Sequence, residues 1–212
     1  MTPDPVGLVL LAAGRGTRFG DAPKLLADLD GKPLVRHAAE AALAAEAGPV
    51  VAVLGHAQEP VRAALAGLDL RLVENPHYAD GLATSLQVGL AALPEAAGGA
   101  VILLGDMPCV PPGLIRSLAD AFRAAAPKPA AIVPVCDGRR GNPVLLNRRI
   151  LADDLARLTG DRGAGPLLAG RTDVLEWPAD GSGVLVDVDT PEMLKGLARG
   201  DSAQEQDPAL GP

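Results

Sequence analysis

The sequence predicts an α/β protein built on a mostly parallel sheet, and three observations carry that expectation. Short, predominantly apolar runs recur along the chain, at 6–11, 50–54, 70–73, 100–104, 131–135 and 184–186. Between them lie Ala- and Leu-rich stretches of helical period, at 34–47, 57–66, 82–93, 112–125, 148–158 and 191–198. Most of the apolar runs lack polar alternation, the mark of strands covered on both faces. Strands of that kind joined by helices make right-handed crossovers into a parallel sheet.

The elements follow in order. Run 6–11 has no basic region ahead of it and passes quickly into Gly14 and Arg15, so it reads as a strand and not as a signal peptide. The next runs repeat the strand–helix rhythm as far as 131–135. Segment 136–177 breaks it: Gly and Pro are frequent, 143–146 reads as an added strand, and the whole is expected to be an insertion that walls a pocket. Run 184–186 returns to strand character just ahead of a helix opening at Pro191. From Arg199 the chain is polar and aperiodic, so a domain of 1–198 is expected to carry a disordered tail, 199–212.

Composition narrows the function classes. The chain has 212 residues, 48% of them hydrophobic, enough for a sizeable core without disulfides or structural metal. Aromatics are only 2%, so Ala, Leu and Val must fill it. A net charge of -7 repels nucleic acid and anionic membranes, and any polyanionic partner must meet a local basic site. Cys109 and Cys136 show no metal-ligand spacing and suit a reducing cytosol. No apolar segment is long enough to span a bilayer. A soluble cytoplasmic protein without nucleic-acid or membrane partners is expected.

Ligands of open α/β sheets bind beyond the carboxyl ends of the strands. There the first run opens into LAAGRGTRFGDAPKLL, residues 11–26. Neither common phosphate loop fits. A dinucleotide fingerprint needs G-x-G-x-x-G, but after Gly14 and Gly16 the third place is Phe19, and Gly20 comes one residue late. The acidic residue due further on has only Glu40, in mid-helix, to fill it. The Walker pattern likewise meets Phe19 where its second glycine belongs. What is left is a glycine loop bounded by Arg15, Arg18 and Lys24. Glycine permits the close approach and positive φ that a ring of backbone N–H groups around phosphate requires. Arginine adds a planar fork and lysine a compact charge. Three cations in an acidic protein point to a triphosphate or pyrophosphate, the plain alternative being a solvated surface loop.

Asp106 follows run 100–104 and Asp189 follows run 184–186, so both are expected at strand ends on the edge that carries the cationic loop. Magnesium takes a few carboxylate oxygens together with waters and substrate phosphates, and two such residues suit it. Asp187 alternates with Asp189 and is open to the same role. Asp189 or Thr190 is also placed to cap the helix at Pro191. Asp80 or Ser85 is placed to cap the helix near Leu82. His37, His56 and His77 show no ligand spacing.

The loop resembles the signature of nucleotidyltransferases that join a nucleotide to a phosphorylated acceptor, above all the molybdenum cofactor cytidylyltransferases and their MobA-like relatives. The resemblance covers most of 6–198 and includes NPHYADGLATSLQVGL at 75–90, LLGDMPCV at 103–110, RRGNPVLL at 139–146, GDRGAG at 160–165 and VDVDTPEML at 186–194. It implies a three-layer Rossmann-like nucleotidyltransferase fold and Mg2+ held by Asp106 and Asp189. Arg15, Arg18 and Lys24 would be the catalytic cations. Leu11, Ala12, Ala13, Gly14, Gly16, Lys24, Asp80, Gly81 and Ser85 would lie against the nucleotide. Asn142, Pro143 and Asp161 fall on acceptor-side motifs, with Asn142 where a histidine is common and Gly165 where many relatives carry arginine.

The implied reaction transfers CMP from CTP, or another nucleotide from its triphosphate, to the phosphate of molybdopterin cofactor with release of pyrophosphate. A molybdenum hydroxylase apo-enzyme would be the onward partner. Ala13 holds the place that separates the Leu-Ala-Ala-Gly loop of cytidylyltransferases from the Leu-Ala-Gly-Gly loop of guanylyl-transferring relatives. Transfer to a sugar phosphate or other small phosphorylated metabolite is the second reading, and a non-catalytic cofactor carrier or insertion chaperone the third.

Overall fold

Seven consecutive buried residues, Val6–Ala12, form β1 at the centre of the sheet. The computed structural model describes residues 4–16, 19 and 23–199. After the glycine loop come a 3-10 turn at Lys24–Leu26 and a small hairpin of β2 (Asp28–Leu29) and β3 (Lys32–Pro33), then α1 (Leu34–Ala44) and β4 (Val50–Leu54). Next are α2 (Gln58–Ala64), β5 (Arg71–Glu74), a 3-10 turn at Tyr78–Asp80, α3 (Leu82–Ala92), β6 (Gly99–Leu104) and α4 (Pro112–Ala124). Then comes β7 (Ala131–Cys136), and the insertion contributes β8 (Arg139–Arg140), β9 (Val144–Asn147), α5 (Ala152–Ala156), α6 (Gly165–Leu168) and β10 (Val174–Pro178). A 3-10 turn at Ser182–Leu185 and α7 (Pro191–Ala198) complete the described chain.

The strand order is β10-β7-β9-β6-β1-β4-β5, with β8 paired to β7. β6, β1, β4 and β5 are parallel, as are β7 and β10, while β9 runs antiparallel between β6 and β7. Alternation along β1 sorts the core into two sides. Leu8, Leu10 and Ala12 cluster with Val35 of α1, Val61 of α2 and Ile115 of α4. Val9 and Leu11 cluster with Leu86 of α3, Leu155 of α5 and Leu168 of α6. Helices on both faces of a mostly parallel sheet give the expected three layers. Full burial of each leucine contributes roughly 1.5–3 kcal/mol, so β1 needs no aromatic residue to anchor it.

Three expectations change. Helix 148–158 shortens to Ala152–Ala156, because Asn147 Oδ1 accepts from the Arg149 and Ile150 amides at 3.1 and 3.2 Å and holds that stretch in a turn. The pocket-wall insertion supplies strands to the sheet itself, including β10, which 136–177 does not announce in sequence. Run 184–186 is no strand: a 3-10 turn covers Ser182–Leu185, and Val184 and Val188 are buried from a loop. The expected tail beyond Arg199 lies outside the described residues.

Candidate nucleotide and metal site

Leu11 and Leu104 are register partners on neighbouring parallel strands, so the glycine loop and Asp106 leave the sheet along one edge. The Gly105 amide donates to the Leu11 carbonyl at 3.0 Å and ties the two exits together. Lys24 opens its 3-10 turn beside buried Leu25. Its ammonium donates to Asp106 Oδ2 at 2.5 Å and to Asp189 Oδ1 at 2.9 Å. The Lys24 side chain is 11% exposed and each carboxylate 19%. Gly16, at φ 59°, makes this possible: a Cβ there would stand 2.6 Å from Lys24 Cβ, so the lysine stem lies along the loop backbone.

Asp189 reaches the edge without a strand. The Val188 amide donates to the Asp106 carbonyl at 2.9 Å, which lays the following residue beside Lys24. Thr190 caps α7 through Met193 N at 3.3 Å, so Asp189 is not needed for that role. Asp187 is exposed. Burial alone would depress the Lys24 ammonium, but the hydrogen bonds and charges of Asp106 and Asp189 outweigh it and hold the pKa above the ordinary 10.5. The stabilisation from a raised lysine pKa is complete below the unfolded value and is lost only as pH climbs through the folded one. Lys24 therefore keeps its charge at neutral and mildly alkaline pH.

A cavity of about 490 Å3 opens above this cluster, bounded by Leu11, Ala13, Gly14, Arg15 and Gly16, by Tyr78, Gly81 and Ser85, and by Lys24, Asp106 and Asp161. A second, of about 330 Å3, shares the wall of Leu11, Leu82 and Leu104. Leu86, Ile102, Val133, Val144 and Leu168 line it, and among the described residues Arg140 and Asn142 supply its polar side chains.

The structure sorts the expected residues. Arg15 is exposed, with its guanidinium 5.6 Å from the centre of the Tyr78 ring. Arg18 lies outside the described residues. Ala12 points into the core beneath α1 and away from the cavity. Asp80 is exposed beside His77 and lines neither cavity; Gly81 precedes α3 with no side-chain cap from Asp80 or Ser85. Ser85 is buried and accepts from Asn75 Nδ2 at 2.9 Å. Gly81 makes room for the Gly160–Asp161 backbone, since a Cβ on it would meet the Gly160 carbonyl carbon at 2.2 Å. Asp161 thus borders the first cavity, not the second. Asn142 lines the second; Pro143 is buried and lines neither.

Sequence reasoning passed over Tyr78 and Arg140. Tyr78 is the only tyrosine of the chain and sits inside a quoted motif, which was the available signal. Arg140 lies in the quoted motif at 139–146, but its place at the second cavity depends on β8 folding back onto β7.

A divalent cation fits the cluster. Two carboxylates already converge on one cationic atom, and hard oxygen donors suit Mg2+ or Mn2+. No group of three metal-ligating side chains occurs among the described residues, so substrate phosphates and waters would complete the shell.

The profile of the MobA-like NTP transferase domain matches residues 8–176. The chain belongs to that family. Within reach of this MobA-like chain is Rv0371c of Mycobacterium tuberculosis H37Rv, 33% identical, with a TM-score of 0.81 over 93% of this chain and 100% of the other. The same protein in complex with manganese superposes with a TM-score of 0.75. A nucleotidyl transferase from Methanothermobacter, 24% identical, shares the fold at a TM-score of 0.79 over 93% of this chain and 97% of its own. The bifunctional protein GlmU of Halorhodospira halophila is 32% identical over 181 residues, which are 82% of the MobA-like chain but 38% of GlmU. No described helix is long and apolar enough to cross a membrane.

Proposed function

We propose that this MobA-like nucleotidyltransferase transfers CMP from CTP to the phosphate of molybdopterin cofactor. The carrying observation is the Lys24 ammonium clasped by Asp106 and Asp189 beneath the glycine loop. A phosphate monoester is already an anionic nucleophile, so no general base is required. One of its oxygens bonds to the α-phosphorus in line, the bond from that phosphorus to the β-bridging oxygen breaks, and pyrophosphate carries the charge away. The chain supplies positioning and charge neutralisation. Loop amides and Arg15 would face the phosphates, and Lys24 would meet the charge growing on pyrophosphate; the part the sequence suggests for Arg18 is the same neutralisation. Bound Mg2+ on Asp106 and Asp189 would neutralise phosphate oxygens; that the mycobacterial relative has been crystallised in complex with manganese supports use of a divalent ion.

The second cavity speaks for the acceptor. Its walls are apolar except at Arg140 and Asn142, so sugar hydroxyls facing Leu86, Ile102 and Val133 would be left unpaired at about 1–3 kcal/mol each. A flat heterocycle with one polar edge suits it better. Gly165 borders this cavity, and a Cβ on it meets no atom within 4 Å. Gly165→Trp is therefore expected to fold normally and to raise KM for the acceptor about tenfold or more while leaving KM for CTP unchanged. Steady-state kinetics with each substrate varied would show it, and an unaltered acceptor KM would remove this cavity from the acceptor's path.

Ala13 and Tyr78 pack across Gly55, where a Cβ would stand 2.8 Å from Ala13 Cβ and 2.6 Å from Tyr78 Cβ. That tight end of the first cavity is the place for the base. Pyrophosphate release measured with CTP, GTP, ATP and UTP, against molybdopterin cofactor and sugar phosphates, tests the whole reading. CTP with molybdopterin cofactor is the expected pair. Turnover confined to sugar phosphates would replace the acceptor, and no release with any pair would reject transfer. In the same assay Ala13→Gly should shift the CTP-to-GTP ratio about tenfold toward GTP, the worth of a small hydrophobic fit; an unchanged ratio discards the role of the methyl group.

A further inference from the structure

Lys24 spends two of its three N–H donors on carboxylate oxygens that a metal would also use. A divalent ion at ligand distance from those oxygens would stand within roughly 5 Å of the ammonium, two like charges sharing one pair of anions. The two arrangements exclude each other far more than they coexist. The lysine backbone is fixed: Leu25 is buried, and Ala27 N donates to the Lys24 carbonyl at 3.1 Å. The side chain is not. Its flexible four-carbon stem lies along Gly16 and borders the 490 Å3 cavity, so the ammonium can swing upward without disturbing the fold.

We infer that Lys24 is an exchangeable stand-in for the metal: it holds Asp106 and Asp189 together until a triphosphate draws its ammonium into the cavity, and the divalent ion then takes the place of the ammonium on those carboxylates. Metal alone competes with a tethered cation at very high local concentration. Metal arriving with a polyphosphate is relieved of that competitor, because the phosphates take the ammonium. The site therefore admits a metal–nucleotide complex and discriminates against free divalent ions. This rests on the reading of Asp106 and Asp189 as metal ligands.

The consequence runs against the usual expectation for a residue of the catalytic centre: neutralising Lys24 should strengthen binding of metal alone. Mn2+ titrations of the full chain without nucleotide, followed by electron paramagnetic resonance of free Mn2+, would compare wild type with Lys24→Met and Lys24→Gln, each checked for fold by circular dichroism. Both variants are expected to bind Mn2+ more tightly, by roughly 5- to 150-fold, the span of ordinary site–site coupling. Adding Asp106→Asn to either should abolish the gain. Affinity equal to or below that of wild type in the folded variants would overturn the exchange, even with nucleotidyl transfer intact. A gain that survives Asp106→Asn would instead remove Asp106 as ligand and the inference with it.

Discussion

Lys24→Ala and Asp106→Ala are each expected to lower the rate of nucleotidyl transfer by on the order of 10²–10³-fold, as removal of a single pre-positioned charge does elsewhere. The two losses differ in origin. On the proposed reaction, Lys24→Ala removes the cation that would meet the departing pyrophosphate, whereas Asp106→Ala removes one residue that would hold the metal. Their stability costs should differ too. Without Lys24 the largely buried Asp106 carboxylate loses its cation, at roughly 1–3 kcal/mol, below the about 3–5 kcal/mol of a fully buried broken pair because water reaches it. Without Asp106, Lys24 keeps Asp189. Thermal melts beside pyrophosphate-release rates would check both; near-normal turnover in either folded variant would take that residue out of the centre.

Gly81→Ala is expected to be the most damaging glycine substitution near the site. Its φ of 114° disfavours any side chain, and the new Cβ would also press on the Gly160 carbonyl oxygen at 2.4 Å and Asp161 N at 2.7 Å. The 160–161 backbone must retreat, and the hydrogen bond from Ala83 N to the Gly160 carbonyl, now 3.1 Å, goes with it. Strain and overpacking together cost about 2–4 kcal/mol, a fall in Tm of roughly 5–15 °C for a chain of this size. KM for the nucleotide should rise as Asp161 leaves the cavity. Gly160→Ala is the control: its φ of 67° is also positive, but a Cβ there meets open space, so its Tm should fall distinctly less. Equal falls would show that backbone conformation alone, not the collision, sets the penalty.

Much of the geometry was legible because apolar runs end where strands end. The runs of β1 and β6 each pass through glycine into a charged residue, Arg15 and Asp106, and parallel pairing then put the loop that leads to Lys24 beside Asp106. Asp189 reached the correct place by a false route. Valines at 184, 186 and 188 imitate a strand because burial is demanded of a loop too: Val184 and Val188 are 1% and 0% exposed without joining the sheet. Apolar pattern reports burial, not the hydrogen-bond partners that distinguish a strand from a tethered loop. The same limit hid β10, whose exposed Leu175 and Glu176 look like surface. It also hid Arg140, which depends on contacts distant in sequence. Asp80 was misplaced for a simpler reason: a single residue decides whether a side chain in a tight turn faces the ligand or the solvent.

The reversed strand β9 has an effect on how such a protein can change. On one flank of it stand the four co-directional strands whose loops build the polyphosphate cradle; on the other stand β7 and β10, whose connections frame the apolar chamber. Because β9 enters the sheet at the ligand edge and departs at the far end, substitutions in 136–143 and 163–173 alter the chamber, while Gly160 and Asp161, which border the first cavity, keep their contacts with Gly81 and Ala83. A lineage can thus exchange one acceptor for another while its donor chemistry stays untouched, and chimaeras cut at the borders of that flank should inherit acceptor preference from the piece transplanted.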